Sequence, residues 1–174
     1  MSSAPSALHL PARRTCAFSR CRTYRYRLEI HWSDGPCINW LMLNPSTADE
    51  VANDPTVERC ERRSRAWGYG RMIVTNLFGL RATDPAWLRK VEDPVGPRNN
   101  HHIIKAALEA DQVMVAWGNH GRIGGRSAKV CRLLERKNLD LHTLRVSKTG
   151  EPAHPLYLSY DLTAIEYLRN PPAE

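Results

Sequence analysis

Three short apolar runs constrain this chain more than any other feature. CINWLML (37–43), RMIVT (71–75) and VMVAW (113–117) are nearly unbroken, and each is far too short to span a membrane. Runs of this length without polar alternation read as strands buried on both faces. Segments with helical capping chemistry separate them. NDPTVERCERRSRAWGYG offers Asn53 or Asp54 as a cap, Pro55 in the first turn, and Gly68 and Gly70 as a stop. RATDPAWLRKV reads as a short capped helix. NHHIIKAALEA and GGRSAKVCRLLERKN read as longer ones, the second with Val130, Leu133 and Leu134 inward. LDLHTLRVS is a fourth strand, and DLTAIEYLRNPPAE begins as a short helix. Strands alternating with helices predict an α/β fold, three-layer α/β/α, with a mostly parallel central sheet. Ahead of it, TYRYRLEIHW alternates at period two and SDGP turns it back, which predicts an N-terminal β-hairpin leading into CINWLML. The pattern gives a single domain over 20–168, a flexible basic tail over 1–19, and a frayed C-terminus over 169–174.

Ligands of open α/β sheets sit beyond the carboxyl ends of the strands. Here all four strand ends change character alike. They give Asn44-Pro45-Ser46-Thr47, then Asn76-Leu77-Phe78, then Trp117-Gly118-Asn119-His120, then a loop with Lys148 and His154-Pro155. Amides, hydroxyls, an imidazole and an ammonium on one rim predict a site. Asp49 stands nearby as a candidate general base. Asp54 reads first as the helix cap beside Pro55, and Asn44 reads equally as a loop cap bonded to its own backbone. Phe78 and Trp117 fit a core as well as a stacking platform. The arginine-rich helix, with Arg62 and Arg63, and Arg81 after the second buried strand form the best basic patch; a solvated face is the alternative.

The formal net charge of +7 favours nucleic acid or nucleotide as partner. No apolar run approaches the roughly 18 residues of a membrane helix. Five scattered cysteines without a CxxC predict reduced thiols in a cytoplasm. His101-His102 precede a helix and do not form a metal pair, so neither a metal nor a cofactor is expected.

Over residues 20 to 165, the motifs LNPSTADE, NDPT, NLFGLRATDP, AWGNHG and GEPAHPLYL resemble the bacterial and phage family catalogued as domain of unknown function 1643. More distantly, their order is similar to that of the uracil-DNA glycosylase superfamily. Leu43-Asn44-Pro45-Ser46 stands where that superfamily has Gly-x-Asn-Pro-Gly, TNLFGLRATDP resembles its TNVVKCRPP, and His154-Pro155-Leu156 resembles its His-Pro-Ser. That resemblance implies a uracil-DNA-glycosylase-like fold and hydrolysis of the N-glycosidic bond of a base, plain or modified, in DNA or a nucleotide.

It also implies roles. Asn44 positions or activates the water, His154 stabilises the leaving base, and Asn76 reads the base edge. The residues themselves, apart from the resemblance, add Asp49 beside Asn44, Phe78 or Trp117 in place of the superfamily's stacking aromatic, and Ser46, Thr47, Gly118, Asn119 and Lys148 as further substrate contacts. N-glycoside cleavage needs an oriented water and an acceptor of developing charge, and a duplex base must be flipped out first. Ser46 replaces the superfamily's glycine and Leu156 its serine. Its four-cysteine pattern is missing, so no iron–sulfur cluster is expected. The competing readings are a non-catalytic nucleotide- or nucleic-acid-binding module and a different hydrolase on the same rim.

Overall fold

The computed structural model describes residues 11–169. Its strands are β1 (Arg13–Phe18), β2 (Arg25–His31), β3 (Cys37–Met42), β4 (Arg71–Asn76), β5 (Gln112–Val115), β6 (Leu141–Thr143) and β7 (Ile165–Glu166). Its α-helices are α1 (Pro55–Ala66), α2 (Asn99–Glu109) and α3 (Arg126–Glu135). The seven strands form one sheet in the order β1-β2-β4-β3-β5-β6-β7. β3, β4, β5 and β6 run parallel; β1, β2 and β7 join antiparallel at the two sides.

The sheet is therefore mixed rather than mostly parallel. The expected hairpin is also redrawn. β2 and β3 are not neighbours, because β4 lies between them. SDGP turns the chain, but Gly70 approaches so closely that a Cβ there would meet the Ser33 carbonyl oxygen at 2.3 Å. The real hairpin is β1–β2, so residues 13–18 of the expected tail are ordered strand. Residues 1–10 of that tail and 170–174 of the expected frayed end lie outside the described residues. The expected C-terminal helix is instead the short β7, which pairs with β6.

Period-two alternation divides the core between the two faces of the sheet. Ile38, Trp40 and Met42 of β3 join Met72 and Val74 of β4 and meet Val57 and Cys60 of α1. Leu41 and Leu43 face the other way, toward Ile103 and Ala107 of α2 and Val130, Cys131 and Leu134 of α3. Each fully buried side chain of this size contributes about 1.5–3 kcal/mol. α1 starts where the sequence says it should: the Asp54 carboxylate accepts from the Val57 N–H at 2.9 Å, and Pro55 needs no partner for a missing donor. The crossover from β3 to β4 runs through α1 on one face, and that from β4 to β5 through α2 on the other. β3 is thus a switch point, and a crevice opens beyond its carboxyl end. The five cysteines are unpaired, three of them buried. Among the described residues, no helix is long and apolar enough to cross a membrane.

Candidate functional site

A cavity of about 590 Å³ fills that crevice on the α1 side. Asn44, Asn76 and His154, from three separate strand ends, all line it, together with Ser46, Thr47, Gly118 and Asn119. The two carboxamides are held differently. Asn44 donates through Nδ2 to the carbonyls of Pro45 at 3.1 Å and Ala82 at 2.7 Å. Carbonyls accept only from the NH2 end, so the amide orientation is set and Oδ1 is left as a free acceptor. Asn76 is 2 % exposed, and among the described residues its amide group has no protein partner. Its face follows from β4's alternation, since Met72 and Val74 point to the same side.

His154 sits at the N-terminus of a short 3-10 turn, Pro155–Tyr157. Its Nδ1 accepts from the Leu156 N–H at 3.3 Å, which leaves Nε2 as the protonated nitrogen of the neutral ring. His154 is exposed at the mouth of the cavity, yet protein atoms close around part of its surroundings. That desolvation lowers its pKa below the usual imidazole value, and the negative charge of Asp54 opposes the shift. Gly118 makes room beside it: its φ is +71°, and a Cβ would come within 3.4 Å of the His154 Cβ.

Several expected site residues lie elsewhere. Asp49 does not line the cavity. Its Oδ1 accepts from the Val51 and Ala52 N–H groups at 2.8 and 3.0 Å, and these donors hold its pKa below the usual carboxylate value. The acid in the cavity wall is Asp54, which caps α1 and lines the site together. Phe78 is buried in the core on the α2–α3 side. Trp117 lines the cavity, but its side chain belongs to the same α2–α3-side core, with Nε1 donating to the buried Glu151 carboxylate at 2.6 Å. Lys148 is exposed on the loop after β6 and away from the cavity wall.

Of the expected basic patch, Arg63 alone is withdrawn from the surface. Arg63 is 1 % exposed and donates to the carbonyls of Leu158 and Ser159 at 2.8 and 2.7 Å, so it is an internal brace. Arg62 is exposed and lies over the Tyr160 ring. Arg81 lies over Phe18 and lines a second cavity of about 620 Å³, which shares Ser46, Thr47, Ala82 and Thr83 with the first. His120, on the expected rim but given no role there, also lines the cavity, and so does Arg25, which the sequence reading did not point to. Arg25 precedes the first apolar run, where the strand-end rule does not look. No group of three or more His, Cys, Asp or Glu able to hold a metal occurs among the described residues.

A family model described as a protein of unknown function, DUF1643, matches residues 25–156. The chain belongs to this family. Every residue lining the cavity, from Arg25 to Leu156, falls within the DUF1643 match. No curated protein and no solved structure matches the chain.

Proposed function

We propose that this DUF1643 protein hydrolyses the N-glycosidic bond of a base, plain or modified, in a nucleotide or nucleic acid, using a uracil-DNA-glycosylase-like variant of the α/β fold. The reading rests on one observation: Asn44, Asn76 and His154 surround a single cavity. The unpaired Asn76 amide offers a donor and an acceptor to the hydrogen-bonding edge of a base. The neutral His154 donates Nε2–H to the base carbonyl oxygen that gains negative charge as the bond breaks. A water donating one hydrogen to Asn44 Oδ1 keeps a lone pair for the anomeric carbon, and the Asp54 carboxylate takes its other proton. The new C–O bond forms as the C–N bond breaks. The base leaves with the bonding pair, and solvent protonates it afterwards.

The test is free-base release from oligonucleotides and nucleotides carrying uracil, hypoxanthine, hydroxymethyluracil and the ordinary bases. At least one should release base, and His154→Ala should slow release by about 10²–10³-fold. No free base from any substrate sinks the hydrolase. Binding without turnover, unchanged by His154→Ala, would make the protein a binding module.

A further inference from the structure

Arg25 is a buried cation that, unlike the equally buried Arg63, opens on the cavity. It is 1 % exposed, lines the cavity, and forms no salt bridge among the described residues. Nη1 donates to the Ala48 carbonyl at 2.5 Å, while Nε is buried without a partner. Burial lowers its pKa, and the nearby negative charge of Asp54 offsets only part of that. An unpaired buried guanidinium is expensive to keep, so a chain that needed only packing would place an apolar side chain here.

Its position has a definite cause. Ala17 pairs with Arg27 but Phe18 pairs with Arg25, so Tyr26 is the extra residue of a β-bulge. Beyond the bulge the alternation inverts. Arg27 points to the α2 side, where it bonds Glu109, and Tyr26 also turns that way to stack on His102. Arg25 is thereby released to the α1 side, where the cavity lies. Because β2 runs antiparallel to β4, its first residue stands at the rim where the parallel strands end.

We propose that Arg25 receives a phosphate group of the cavity's ligand, so that the substrate is a phosphate ester and not a bare base or nucleoside. A guanidinium presents paired donors that match phosphate oxygens, and an anion placed there would supply the missing countercharge. The base-binding half of this picture rests on the proposed hydrolase; the phosphate contact does not.

Binding is followed by tryptophan fluorescence, with Trp117 in the cavity wall, for nucleosides, their 5′-monophosphates, the same nucleotides within short single strands, and inorganic phosphate. The monophosphate should bind about tenfold or more tighter than its nucleoside, a gap expected of one charge-assisted contact. In Arg25→Gln the gap should close while nucleoside affinity stays the same. A gap that survives Arg25→Gln, or equal affinities in the wild type, overturns the proposal and leaves the base reading standing. Arg25-dependent phosphate binding without any nucleoside binding supports the phosphate site and removes the base reading. The free nucleotide and the strand are separated by which of them shows the Arg25-dependent gain. If Arg25→Gln does not fold, Arg25→Lys and thermal protection of the wild type by phosphate over chloride at equal ionic strength take its place. No protection beyond chloride overturns the proposal.

Discussion

At Asp54, one carboxylate holds the first turn of α1 and also faces the cavity, so its two duties can be separated by substitution. Asp54→Asn keeps an oxygen for the Val57 N–H but loses the carboxylate proposed as base. We expect a melting temperature close to wild type and base release reduced by at least about 10²-fold, read by calorimetry and a release assay. Asp54→Ala should lose about 0.5–2 kcal/mol of stability as well. Equal activity in Asp54→Asn and wild type would remove Asp54 from the chemistry. The cap was legible from Asp-Pro alone. Its second duty was not, because a side chain that satisfies a local rule gives no sign in sequence of what else it touches. Asn44 shows the same ambiguity, since it bonds its own loop and opens an oxygen to the cavity at once.

α1 carries its arginines inward as well as outward. Arg59 and Arg63 donate to the carbonyls of Leu158, and to those of Pro155 and Ser159 respectively, which ties the helix to the loop after His154. Arg63→Ala should lower stability in urea by about 1–3 kcal/mol, by removing a fully buried brace with its bonds to the Leu158 and Ser159 carbonyls, whereas Arg62→Ala should stay within about 0.5 kcal/mol. Two equal effects would contradict the bracing role. On α2, His102 stacks on Tyr26 at 5.2 Å, and burial, with its cationic neighbours, pushes its pKa from 6.5 down to about 4. The unfolded chain therefore takes up this proton at a higher pH than the native one. The contribution is intact above about pH 6.5 and is lost as pH falls toward 4. Melting temperatures from pH 7.5 to 4.5 should fall more steeply for wild type than for His102→Gln; parallel curves would count against it. Sequence exposed α1, α2 and α3 well because caps and helical periods are local. It missed β7 because a strand this short carries no period of its own.

Across the molecule, what sequence could not reveal was long-range pairing. The apolar runs of β3, β4 and β5 announced buried strands, but nothing in them stated that β4 would enter between β2 and β3. Nor did Arg13-Arg14, which suggested a solvated tail, announce that β1 closes the edge of β2 and that Arg14 reaches the Asp49 carbonyl at 2.9 Å. Removing residues 1–19 should uncover the β2 edge, loosen the loop after β3, and lower the unfolding midpoint with increased self-association, seen by calorimetry and light scattering. A truncated chain as stable as the full one would restore the tail reading. The cavity draws its wall from Arg25 at one extreme and Leu156 at the other. A ribosome releasing this chain therefore delivers strands, helices and both carboxamides well before the imidazole. Any product cut short by a premature stop between Asn119 and His154 loses at least β7 from the sheet together with His154 from the cavity wall, so the vessel is completed only late in synthesis.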